Sequence, residues 1–197
     1  MRFITLGPAG SNHAFVTRRY LDFHDIAERA ELAFAVDFEQ AAAAVLQGEA
    51  DYLVQCAVHP ATPRTVARWF EGLYAIDTFI SPSQDLAVLQ RHDTADASCL
   101  AAMRPTLDYV DIRQWDRVEL VDTVAEVTQG LLAGVYGVGL GYAAAARERP
   151  ELLRVTQFIG TVDDAWIVYG RTRLCGGQLA AWRDGPAGQL LRRGAPA

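Results

Sequence analysis

The stretch Thr5-Leu6-Gly7-Pro8-Ala9-Gly10-Ser11-Asn12-His13 constrains the fold more than any other part of the chain. A short apolar run, Phe3 to Leu6, ends in Gly-Pro-x-Gly punctuation, and Ala14 to Tyr20 then reads as a helix. The pattern is strand, tight loop, helix. Gly7 and Gly10 open backbone angles that side chains oppose, and Ser11 or Asn12 can cap the helix. A helix start with small hydroxyl and amide side chains suits a carboxylate or a phosphate. The plain alternative is a connecting turn with no ligand.

The same unit recurs. Leu32 to Val36 reads as a strand, and Asp37 caps a helix through Gln47, with Gln40 three residues after the cap and Gly48 as its stop. Ala50 to Cys56 is the next buried strand. Such crossovers predict a mainly parallel α/β sheet. Thr65 to Phe70 reads as helix, and Leu73 to Ile80 and Leu86 to Leu89 as strands. A second module follows. Ala97 to Met103 reads as helix, and Tyr109 to Ile112 and Val118 to Val121 as strands. Thr123 caps a helix through Ala133, with Glu126 in its acidic first turn. Val135 to Leu140 reads as strand, Ala143 to Arg149 as helix, and Ala165 to Tyr169 as a final strand returning to the first module. A short helix is expected from Gln178 to Trp182. These modules give two lobes, residues 1–80 with 155–197 and residues 81–154, and a ligand cleft between them.

Composition excludes several classes. The 197 residues are 51% hydrophobic and 21% charged, as in globular proteins. A net charge of -6 and no basic arm argue against nucleic acid. No apolar run is long enough to cross a membrane. Cys56, Cys99 and Cys175 are too far apart for a zinc pattern, and their odd number argues against a disulfide framework. No metal or cofactor is expected, and a cytoplasmic setting is. Gly7-Pro8-Ala9-Gly10 lacks the spacing of a dinucleotide loop.

Three blocks in order resemble prephenate dehydratases: Thr5 to Ser11; Phe38 to Tyr52, ending Gly48-Glu49-Ala50-Asp51-Tyr52; and Leu120 through Thr123 to the Val135–Ala146 region. The resemblance spans about residues 3 to 170. It implies a two-lobed α/β fold like the type II periplasmic binding proteins, a cyclic carboxylate in the cleft, and a homodimer. The family's Pro-Ile-Glu-Asn-Ser aligns with Cys56-Ala57-Val58-His59-Pro60, and its Thr-Arg-Phe with Asp164-Ala165-Trp166. The hydroxyl associated with dehydration is therefore replaced. These departures resemble the non-aromatising prephenate decarboxylases of bacilysin-type antibiotic biosynthesis, which keep the ring hydroxyl. An atypical dehydratase forming phenylpyruvate and a non-catalytic binding protein are the alternatives.

His59 and His13 are the candidates for proton delivery, because histidine titrates near neutrality, and the sequence does not choose between them. Ala9, Gly10, Ser11 and Asn12 are expected to hold one carboxylate and Thr123 the other, with Cys56, Asp164 and Trp166 as further substrate contacts. Each has a plainer reading. His13 sits in a first helical turn, Cys56 in a strand, Thr123 at a cap, and Trp166 on a strand that can bury it.

Overall fold

In the computed structural model, which describes residues 1–182 and 184–193, the chain forms two α/β lobes, each on a five-stranded sheet. The elements run β1 (Arg2–Leu6), α1 (Asn12–Phe23), β2 (Glu31–Ala35), α2 (Phe38–Gln47), β3 (Tyr52–Cys56), α3 (Thr62–Trp69), β4 (Tyr74–Pro82) and β5 (Leu86–Arg91). They continue with β6 (Cys99–Met103), β7 (Arg117–Val121), α4 (Val124–Ala133), β8 (Val138–Tyr142), α5 (Ala144–Glu148), β9 (Leu153–Gly160), β10 (Asp163–Gly170) and α6 (Pro186–Arg193).

The first sheet has the order β2-β1-β3-β10-β4, and the second β7-β6-β8-β5-β9. In each, three parallel strands lie beside one antiparallel strand, β10 or β5, and the edge strand beyond it, β4 or β9, runs in the same sense as the first three. The lobes are pseudo-symmetric, so β1, β2 and β3 correspond to β6, β7 and β8. The loop after β1 thus corresponds to the turn after β6. Both lie at strand carboxyl ends, where α/β sheets place ligands. The fold is the two-lobed type II periplasmic-binding-protein architecture, with a cleft between the lobes.

The chain crosses between lobes twice, after β4 and after β9. The crossings are joined by Ser83 N–H to Val162 O (2.8 Å) and Thr161 Oγ1 to Ser83 O (2.6 Å). Apolar clusters cover both faces of each sheet. Close approach of α4 to β8 needs glycine: a Cβ on Gly139 would stand 2.5 Å from Val127 Cγ1 and 3.2 Å from Ala101 O. Asp37 and Thr123 cap α2 and α4 through their side chains, and Gly48 and Gly134 end these helices with positive φ.

Several sequence expectations change. Ala97–Met103 is read as helix from its alanines, but β6 occupies Cys99–Met103, buried centrally where small side chains fit. Tyr109–Ile112 is read as strand, but 3-10 turns span Arg104–Tyr109 and Ile112–Gln114. The first sheet is mixed, because β10 enters antiparallel. Residues 155–160 are assigned to the first lobe, yet they lie in β9, which pairs with β5 in the second sheet. The expected helix at Gln178–Trp182 is absent, and α6 begins at Pro186. Gly7 and Gly10 have no positive φ. A Cβ on Gly7 would lie 3.3 Å from Phe34 Cβ, whereas Gly10 has open space.

Candidate functional site

The inter-lobe cleft has a volume of about 540 Å³. Leu6, Val58, Leu86, Met103, Val121, Val124 and Val162 make much of its wall apolar, and a few polar groups interrupt it. Ser11, Asn12, His13, Cys56, His59, Thr123 and Asp164 all line it. Ala9, Gly10 and Trp166 do not. Ala9 O accepts from Arg18 Nη1 at 3.0 Å on an exposed surface, and Gly10 O accepts from Gln84 Nε2 at 3.3 Å. Trp166 is 0% exposed: its side chain packs into the α1-facing core, with its ring edge-on to His13 at 5.0 Å.

The start of α1 is closed by the protein itself. Ser11 Oγ donates to Leu6 O (3.0 Å) and accepts from Ala14 N–H (3.2 Å). Asn12 N–H donates to Tyr142 Oη across the cleft (3.0 Å). The Asn12 side chain accepts from Gln84 N–H (3.0 Å) and donates to Ser83 Oγ (2.8 Å). Ser83 Oγ in turn donates to Asp164 Oδ2 (2.7 Å). The groups expected to grip a carboxylate therefore hold the lobes and their crossing together. Burial pushes the Tyr142 hydroxyl up to about 12, so it stays protonated while accepting from Asn12.

The second lobe offers what the first has used. Arg104 follows β6 at the position corresponding to the Gly7 loop, and its guanidinium has no ion pair or hydrogen bond among the described residues. Beside it in the cleft wall is the start of α4. Thr123 Oγ1 accepts from Glu126 N–H (3.0 Å), and Glu126 Oε2 accepts from Asp122 N–H (3.1 Å). The N–H groups of Thr123, Val124 and Ala125 have no acceptor among the described residues. A guanidinium with open N–H groups at a helix start is suited to an anion. Arg104, Ser83 and Tyr142 are not among the residues expected from the sequence. Aligning the two modules would have found Arg104, because Met103-Arg104-Pro105 ends a strand as Leu6-Gly7-Pro8 does.

The two histidines meet at 5.6 Å between ring centroids. His13 Nε2 accepts from Cys56 N–H (3.4 Å), and His59 Nδ1 accepts from Ala61 N–H (3.1 Å). Burial, with the neighbouring His59 second, lowers His13 to about 3. Burial also lowers His59. Both rings are therefore neutral at physiological pH, which changes the expected role: a neutral imidazole is a hydrogen-bond partner and a poor acid. Burial pushes the Cys56 thiol up to about 11, so it is not a ready thiolate.

The lowered His13 makes stability depend on pH. Between about pH 6.5 and 3 the unfolded chain binds the proton that folded His13 refuses. His13's contribution is complete above pH 6.5 and declines as pH falls, by several kcal/mol on the order of the shift. Urea unfolding of wild type and His13→Phe at pH 7.5 and 4.5 measures this. The stability difference between the two pH values is expected to be smaller in the variant.

No family model matches the sequence, and no curated protein matches it. Solved structures do. A prephenate dehydratase from Arthrobacter aurescens, in complex with L-Phe, superposes with a TM-score of 0.67 at 19% identity over 91% of this chain. This chain spans 63% of that protein's length. The prephenate dehydratase of Staphylococcus aureus Mu50 gives 0.64 at 12% identity, covering 88% of this chain and 67% of that one. The periplasmic VFT2 domain of Bordetella pertussis BvgS gives 0.51 at 14%, covering 86% and 80%. These likenesses establish the fold, which the two prephenate dehydratases share with that periplasmic domain. No helix among the described residues is long and apolar enough to cross a membrane.

Proposed function

We propose that the cleft takes prephenate or a close cyclic relative and that the chain turns it over as a lyase. The observation that carries this reading is Arg104, without a partner among the described residues, beside the α4 N–H groups that are open among them, in a cleft with much apolar wall. A ligand with an apolar ring and a carboxylate side chain matches that division. The pyruvyl carboxylate goes to Arg104 and Thr123, and the ring lies against Leu86, Val58 and Val162.

Two products follow from two observations. The likeness to two prephenate dehydratases favours loss of the ring carboxylate together with the ring hydroxyl, giving phenylpyruvate. That route needs a proton for the departing hydroxyl, and Asp164 is the carboxyl group standing where the resemblance aligns the family's threonine. The neutral histidines favour the other route, decarboxylation with the hydroxyl retained. There the electron pair of the broken carbon–carbon bond moves into the ring diene and a proton is taken up at ring carbon. Incubation with prephenate, followed by ultraviolet and NMR analysis, separates these outcomes. Phenylpyruvate marks the first route and a non-aromatic dihydro-hydroxyphenylpyruvate the second. Saturable binding with prephenate recovered intact contradicts turnover, and absence of binding contradicts the whole reading.

A further inference from the structure

The turn after β3 and the start of β10 meet on the first-lobe wall of the cleft. Trp166 pairs with Cys56, and Ala57 N–H continues the ladder to Ala165 O at 2.8 Å. This register sets Asp164 opposite the turn at residues 58–59. His59 Nδ1 is occupied by Ala61 N–H, so its ring proton is on Nε2. The ring is wedged edge-on against Phe38 at 4.8 Å and His13 at 5.6 Å, which fixes its direction. Asp164 Oδ2 is held by Ser83, while Oδ1 has no partner among the described residues. A fixed N–H donor and a carboxylate with one open oxygen thus stand at neighbouring register positions on the first-lobe wall, with Cys56 and Tyr109 as further polar groups near Asp164.

Few ligand groups satisfy both. A carboxylate is repelled by Asp164. A ketone uses the His59 donor and leaves Asp164 unmatched. An ammonium suits Asp164 and sets donor against donor at His59. A hydroxyl accepts from one and donates to the other. We propose that His59 and Asp164 together form a receptor for a ligand hydroxyl, so that the cleft selects hydroxy acids: carboxylate on the second lobe, hydroxyl on the first. This rests on the carboxylate reading of the cleft given above. A hydroxyl held in this way is retained through the bond changes at the other side of the ring. Burial of His59 keeps its ring neutral and so preserves the donor–acceptor pattern.

The probes are 4-hydroxyphenylpyruvate and phenylpyruvate, monocarboxylates that differ only in the hydroxyl, titrated calorimetrically into wild type, Asp164→Ala, His59→Leu and His59→Gln. Wild type is expected to prefer the hydroxylated acid by about tenfold to a hundredfold, the range for a hydrogen bond to a charged group. Asp164→Ala and His59→Leu remove most of the preference, read as the ratio of the two affinities within each variant, and His59→Gln, which restores an N–H donor, recovers part of it. Equal binding of the two acids by wild type overturns the inference and leaves the carboxylate reading standing, as does a preference that persists in both truncated variants. Failure of wild type to bind either acid overturns both. Nitrogen-15 spectra of His59 give a check without ligand: one protonated Nε2 and an unprotonated Nδ1 at about pH 7.5. A ring protonated on Nδ1 at that pH overturns the receptor.

Discussion

Arg104→Ala lowers affinity for prephenate by about tenfold to a hundredfold while leaving the fold intact. A hydrogen bond to a charged group contributes about 1.5–3 kcal/mol, and an exposed arginine with no partner among the described residues contributes little to folding. Isothermal titration and a thermal melt on the same protein measure both halves. Arg104→Lys recovers only part of the loss, because an ammonium lacks the two-pronged geometry of guanidinium. An Arg104→Ala variant that binds as wild type does would move the anion elsewhere. The open N–H groups of α4 would then have to hold it alone, a contribution of only about 0.3–1 kcal/mol at an exposed terminus.

Trp166→Ala destabilises the protein by about 3–5 kcal/mol, the range for truncating a buried aromatic residue. The side chain is completely buried against Val16, Cys56 and Phe79, between α1 and the first sheet. That cost is a large part of the stability of an ordinary domain. Urea unfolding with a far-ultraviolet probe reports it, and Trp166→Phe is expected to lose much less. The expectation also separates two roles for this residue. A core tryptophan takes stability with it, and ligand affinity changes only through the slackened His13 above it. A variant of normal stability that fails to bind would return Trp166 to the ligand contacts.

Where a local rule decides structure, the sequence is legible. Asp37 and Thr123 cap their helices with the side-chain bonds their residue types foretell, and Gly48 takes the left-handed angle. The two-lobed fold follows from the repetition of these units. What stays hidden is set by distant partners. The alanines of β6 read as helix because only burial between two sheet neighbours makes them strand. The helix start at Ser11 and Asn12 looks open to an anion in isolation. It is closed by Ser83, Gln84 and Tyr142, which lie 71, 72 and 130 residues away in sequence. The histidines stand out by residue type, but their neutrality comes from burial, with His59 adding to it at His13, and neither cause has a local signature. Arg104 goes unnoticed because a lone arginine before proline is common, and its meaning comes from the pseudo-symmetry of the lobes.

The opening loop therefore holds the two lobes together, and the proposed anion site lies across the cleft from it. The most direct test is a map of amide chemical-shift changes on titrating the labelled protein with prephenate. Expected are saturable shifts at Arg104, Thr123 and Val124 on the second lobe and at Val58 and His59 on the first. Absence of shifts, or shifts confined to the separate cavity of about 440 Å³ lined by Asp93, Asp96, Arg117, Glu119 and Tyr136, would contradict a carboxylate site between the lobes.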